Sequence, residues 1–137
     1  SPDIYSQTTP TEMGQLLDDI YQCSQNGGGS LAAAFPGQIS QSECRAMIGL
    51  LSQNRNGTLI EAGLPDGTQM GHKHGYATES DQVIHNINDA ALIYSPGGNY
   101  VLTIYIYDDD QIIWDTANNL YADLSRAVYN YFNISNQ

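Results

Sequence analysis

Basic side chains are nearly missing from this chain: four Lys plus Arg stand against fifteen Asp plus Glu, for a formal net charge of −11 over 137 residues. That balance argues against nucleic acid and against an anionic membrane surface as partners, because every phosphate contact would be made against the field of the whole chain. No run of about 18 or more apolar residues occurs, so no segment is expected to span a bilayer. Cysteine is equally sparse. Cys23 and Cys44 are the only two, and their spacing is not the Cys-x-x-Cys of a metal or redox motif. A disulfide and a pair of buried free thiols both remain open to them. Low-complexity tracts and internal repeats are absent as well, and 41% apolar composition suffices for one domain with a real core. Ser1-Pro2-Asp3 carries neither a basic nor an apolar leader, which leaves export open.

What is present falls into a definite order. Thr9, Pro10 and Glu12 form a helix start, with Thr9 as N-cap, Pro10 at the first helical position and Glu12 reaching back. Met13, Leu16, Leu17, Ile20 and Tyr21 follow at helical spacing, and Asn26-Gly27-Gly28-Gly29-Ser30 ends the helix near Ser24. The stretch to Ile39 reads as a loop with room for a helical turn. Ser40 with Glu43 repeats the capping signature, and Cys44, Met47, Ile48 and Leu51 make the stripe of a second helix. The period then changes. A short strand is expected over Thr58 to Glu61, a turn at Leu64-Pro65-Asp66-Gly67, and strands over Thr68 to Tyr76, Ile84 to Tyr94 and Tyr100 to Tyr107, the last two joined by Ser95-Pro96-Gly97-Gly98. The unbroken apolar run of the last strand predicts burial on both of its faces. Asp108-Asp109-Asp110 then precedes a helix striped by Ile113, Ala117, Leu120, Tyr121, Leu124, Val128 and Tyr131, and reads as its cap and a solvated turn. The expected class is α+β: a three-stranded antiparallel sheet flanked by helices, as one unit with a helical part over 8–56, the sheet over 58–107 and the final helix over 110–133.

The one lysine, Lys73, stands in Gly71-His72-Lys73-His74-Gly75, at the start of the antiparallel part. A chain with a single lysine has not kept it for solubility, so Lys73 is the first candidate for chemistry, the plain alternative being that it offsets local acid. His72 and His74 share a face of a regular strand, and His85 begins the next one, so three imidazoles could offer nitrogen to zinc. No carboxylate or cysteine is clearly placed to complete that set. Asp108 to Asp110 lacks the spacing of an EF-hand calcium loop. No metal or cofactor is expected.

Four stretches together carry a likeness. Thr8-Thr9-Pro10-Thr11-Glu12-Met13, Glu61-Ala62-Gly63-Leu64-Pro65-Asp66-Gly67, His72-Lys73-His74-Gly75, and Asp89 to Gly98 followed by Tyr100 to Tyr107 resemble, in order and spacing, the C-terminal part of the class A β-lactamase and penicillin-recognising serine hydrolase family. The first is similar to the helix start after that family's Ω loop. The second is similar to its Leu-Pro-x-Gly turn, the third takes the place of its Lys-Thr-Gly box, and the fourth matches the next two strands.

The resemblance implies an electrostatic role for Lys73, whose ammonium would attract a substrate carboxylate and hold nearby hydroxyls in their reactive state. His72, His74, Gly75 and Tyr76 would line the substrate groove, with Thr78, Glu79 and Asp81 near it. His74 departs from the family, which has Thr or Ser there. The family's nucleophile belongs to a Ser-x-x-Lys motif and its proton relay to a Ser-Asp-Asn loop. Ser6 and Ser24 have no lysine three residues on, and Ser-Asp-Asn occurs nowhere. The likeness starts where the Ω loop ends, so the expectation is the last part of a larger hydrolase, inactive alone, extracytoplasmic or secreted, taking a small anionic, β-lactam-like or peptidoglycan-like ligand. A non-catalytic binding or structural module of the same fold is the alternative. In the family the last strand pairs with an N-terminal strand, so the 100–107 edge would be left free and would favour a homo-oligomer.

Overall fold

The structure, a computed structural model, describes residues 7–134. It is an α+β arrangement of three antiparallel strands and four helices: α1 (Pro10–Asn26), α2 (Ser30–Ala34), α3 (Gln41–Ser52), β1 (Gln69–Thr78), β2 (Ile84–Tyr94), β3 (Tyr100–Tyr107) and α4 (Trp114–Phe132). The sheet order is β1-β2-β3. Thr9 and Ser40 both close reciprocal capping boxes, with Glu12 and Glu43 respectively, so two helix starts are written locally in the sequence.

Strand parity divides the molecule. Met70, His72, His74 and Tyr76 of β1 stand opposite Ile93, Ala91, Asp89 and Ile87 of β2, and this face carries the main core with Leu59, Ile60, Tyr100, Ile112, Ala117 and Tyr121. α4 covers it. Tyr121, fully buried, is pinned there, its hydroxyl 2.7 Å from the carbonyl oxygens of Ile87 and Ile104. The opposite face is covered by α1 and α3, where a Cβ on Gly71 would meet Leu51 of α3 at 3.0 Å. Ile20, Cys23 and Cys44 form a second small core between those two helices, closed by a disulfide between Cys23 and Cys44. The disulfide settles which of the two cysteine readings holds.

Three local expectations change. Thr58 to Glu61 is not a strand: Leu59 has φ 57°, a left-handed conformation no strand contains, and Glu61–Gly63 is a turn of 3-10 helix. The irregular path is held by long-range bonds, Leu59 N–H donating to Asn118 Oδ1 (2.6 Å) and Ser125 Oγ to the Ile60 carbonyl (2.7 Å). Gly63 lets this turn touch α4, since a Cβ there would lie 2.1 Å from the Ala122 carbonyl oxygen. β3 is half-buried along most of its length rather than enclosed on both faces, because it ends the sheet; the enclosed strand is β2. Finally, Asp108 to Asp110 do not cap α4. Its N-cap is Ile113 without a side-chain bond, while Asp108 Oδ1 accepts from Asp110 N–H and Asp109 Oδ1 accepts from the Tyr107 hydroxyl.

Candidate functional site

The Lys73 strand lies at one end of the sheet, and its residues divide between two faces. Lys73 and Gly75 fall on the same strand parity as Gly71, toward the α1/α3 side, and are exposed. The Lys73 ammonium bends back to donate to the His74 carbonyl oxygen at 2.8 Å. His72, His74 and Tyr76 point to the α4 side. Of these, Tyr76 is exposed, His74 is half-buried and His72 is completely enclosed.

Enclosure gives His72 a different part from the groove-lining one expected of it. Its Nδ1 lies 3.1 Å from Asp89 Oδ1 and its Nε2 2.6 Å from the Asn54 carbonyl oxygen. Both partners accept only, so both ring nitrogens donate and the ring is an imidazolium. Burial works against that charge, but the hydrogen bond and charge of Asp89, the Asn54 carbonyl and the charge of Glu61 outweigh it and raise the pKa above that of a free histidine. Asp89 is also fully buried, and its second oxygen accepts from Ile60 N–H at 3.2 Å. The irregular 53–61 connection exists to deliver these groups: Arg55 Nε donates to Glu61 Oε1 at 2.6 Å, and Asn56 and Gly57 N–H donate to Glu61 Oε2 at 3.0 and 2.8 Å. Burial alone would raise the Glu61 pKa, yet the Gly57 N–H, Arg55 and the Asn56 N–H hold it below the usual carboxylate range.

His74 sits in the opposite environment. The side-chain amide nitrogen of Asn54 lies 3.3 Å from both the His72 carbonyl oxygen and His74 Nδ1. Burial, with the nearby charges of His72 and Lys73, lowers the His74 pKa against the contrary pull of Asp89. Its ring stacks on Tyr76 (centroids 5.8 Å, interplanar 14°), and Tyr76 meets Trp114 of α4 at 4.8 Å. Two neighbouring imidazoles are thus pushed apart in charge, one cationic and enclosed, one neutral at the surface.

His85 is not part of this group. Its Nε2 lies 2.7 Å from Asp81 Oδ2 and its Nδ1 2.9 Å from the Asp108 carbonyl oxygen, so the three imidazoles do not converge. Among the described residues no group of three or more His, Cys, Asp or Glu is arranged to hold a metal. Of the residues expected near the groove, Asp81 is taken up by His85, and Glu79 accepts from the Asn86 amide at 3.3 Å. Ser6 lies outside the described residues.

Asn54, Glu61 and Asp89 were not singled out from the sequence as site residues. A signal existed for one of them: Asp89 stands in the central strand directly before the apolar run Ala90 to Ile93, and a carboxylate buried in such a place requires a partner.

With this geometry in view, the comparisons are specific. The sequence model of the β-lactamase enzyme family matches residues 2–132. This chain belongs to that family. Among solved structures it is similar to the TLA-3 extended-spectrum β-lactamase (22% identity, TM-score 0.69, covering 90% of this chain and 41% of that one). It is similar also to PBP-A (21%, TM-score 0.63, 91% and 40%) and to a β-lactamase from Sphaerobacter thermophilus DSM 20745 (20%, TM-score 0.69, 97% and 44%). The chain therefore spans about 41% of the length of such a relative. At these identities the likeness establishes the fold. No curated protein sequence matches.

Proposed function

We propose that the chain is a single partial domain of a β-lactamase-like serine hydrolase, with its helical part over 8–56, its sheet over 58–107 and its last helix over 110–133. It supplies the Lys-x-Gly strand of the active site, and its ligand is a small carboxylate of β-lactam or peptidoglycan type. The observation that carries this reading is the exposed ammonium of the single lysine on the end strand of the sheet, beside a half-buried His74. An ammonium at such a place acts on a carboxylate as a fixed charge. The nucleophile is lacking: a Ser-x-x-Lys motif ending at the only lysine would need serine at position 70, which is Met70. The chain alone is accordingly inactive, and Lys73 is a catalytic group only alongside a nucleophile from elsewhere.

A second reading, a non-catalytic binding module of the same fold, is favoured by His74, whose imidazole replaces the small hydroxyl of the family's box. The disulfide supports an extracytoplasmic setting, since such bonds persist in oxidising compartments, and a bacterial source is part of the same proposal. β3, which ends the sheet and exposes Tyr107, supports self-association through its outer edge. Sedimentation at micromolar concentration tests that: a monodisperse monomer counts against it.

The binding reading is tested by titrating the 15N-labelled chain with benzylpenicillin as a carboxylate probe. Amide shifts centred on residues 72–76, lost in Lys73→Ala, are expected. Shifts elsewhere, or shifts that survive Lys73→Ala, sink it. Reaction of the chain alone with the penicillin would overturn the lacking nucleophile.

A further inference from the structure

We infer that Asn54 is a positioning residue that holds His74 as a neutral imidazole with its only N–H on Nε2, so that the strand offers its ligand a fixed neutral donor on the face opposite the one from which Lys73 projects. This rests on the site proposed above and deepens it. The chemistry is set by which atoms can donate. The Asn54 amide group that lies 3.3 Å from the His72 carbonyl oxygen must be the NH2 end, because a carbonyl only accepts. The same nitrogen lies 3.3 Å from His74 Nδ1. An NH2 group cannot accept, so Nδ1 carries no proton and the ring's proton belongs on Nε2.

The surroundings hold this state. Asn54 is itself fixed from behind, its backbone carbonyl receiving His72 Nε2 at 2.6 Å, so the buried imidazolium and the surface imidazole are tied through one residue. The ring plane is set by Tyr76, stacked on His74, with Trp114 against Tyr76. The charged groups acting on His74 are His72 and Lys73 on its own strand and Asp89 across from it on β2. A second proton on His74 would have to displace the Asn54 bond and lie beside two cations, with only Asp89, already paired, in its favour. A Thr or Ser hydroxyl at this position can turn to donate or accept. The braced imidazole can only donate at Nε2, which selects for an acceptor such as carboxylate and against a ligand donor.

The test is 15N spectroscopy of the imidazoles in the full chain at neutral pH. Expected are a pyridine-like Nδ1 and a pyrrole-like Nε2 for His74, with both nitrogens of His72 protonated. In Asn54→Asp, whose carboxylate accepts from Nδ1–H, the His74 tautomer should invert and its pKa should rise by about one unit or more. A structural loss would not produce that specific inversion. If Asn54→Asp does not fold, the wild-type spectrum decides by itself: His74 found as the Nδ1–H tautomer or as an imidazolium overturns the inference. Titration with acetate separates this from the binding reading. A correct tautomer whose Nε2 signal ignores acetate sinks the carboxylate site and leaves the role of Asn54 standing.

Discussion

His72 and Asp89 form an ion pair in which neither side chain has any solvent exposure, Nδ1 to Oδ1 being 3.1 Å. Taking two charges out of water is offset only when their remaining bonds are also made. Here they are, by the Asn54 carbonyl on one side and the Ile60 N–H on the other. Asp89→Ala would leave a buried imidazolium without its counter-charge and a buried N–H without its acceptor. The expected loss is about 3–5 kcal/mol by denaturant unfolding. A loss under about 1 kcal/mol, the size of a surface pair, would mean that the pair is not holding the sheet to the 53–61 connection.

The same pair gives stability a definite pH dependence. The folded pKa of His72 lies above its unfolded value, so its contribution is complete below about pH 6.5 and is lost as pH rises through the folded pKa. His74, with a lowered pKa, acts in the other direction: its contribution is complete above about pH 6.5 and is lost as pH falls. Bulk stability mixes the two. The comparison that separates them is unfolding of His74→Thr against His74→Thr/His72→Gln from pH 5 to 9. The stability gap between these should shrink as pH rises; a gap that is constant or widens contradicts the charged state assigned to His72.

Local chemistry made much of this fold legible. Thr9-Pro10-x-Glu12 and Ser40-x-x-Glu43 fix two helix starts without help from the rest of the chain, and Ser95-Pro96-Gly97-Gly98 marks the β2–β3 turn. What could not be read was set by contacts distant in sequence. Leu59 and Ile60 have strand-like side chains, but bonds to Asn118, Asp89 and Ser125 impose a left-handed residue and a 3-10 turn. The site divides in the same way. Lys73 was conspicuous because it is the only lysine, and the alternation of β1 put His72 and His74 on one face. That one imidazole would be enclosed and charged and the other neutral depends on Asp89, 17 residues along, and on Asn54, 18 residues before His72. No spacing rule connects them.

The disulfide ties α1 to α3 covalently, beside the hydrogen bonds that Gln41 donates to the Ser24 and Gln25 carbonyls and Arg45 to the Ser24 carbonyl. It closes a sequence separation of 21 residues, and in the chain-entropy model a loop of this size stabilises by roughly 3 kcal/mol. The double variant Cys23→Ala/Cys44→Ala should lose about 2–4 kcal/mol. Reductant should lower the stability of the wild type and leave that of the double variant unchanged. Equal stability of the wild type with and without reductant, both measured as fully reduced or fully oxidised by thiol labelling, would show that the small Ile20 core and the Gln41 and Arg45 hydrogen bonds hold the helices without the covalent link.

Among the described residues, Tyr100 is the exception to otherwise satisfied buried side-chain polar atoms. Its ring is well placed, stacked on Phe132 with centroids 4.3 Å apart and planes 5° from parallel, yet its buried hydroxyl has no hydrogen-bond partner among the described residues. Burial, helped by Tyr129, pushes its pKa up to about 12. A buried polar atom without a partner costs about 1–3 kcal/mol in desolvation, while the stacked ring contributes through its area and its contact with Phe132. Phenylalanine keeps the ring and removes the hydroxyl. Tyr100→Phe should therefore leave stability unchanged or raise it by about 1 kcal/mol, and Tyr100→Leu, which also removes the stacking, should lower it. Denaturant midpoints of the two variants check this, and a loss of more than about 1 kcal/mol in Tyr100→Phe would establish that the hydroxyl is satisfied in solution.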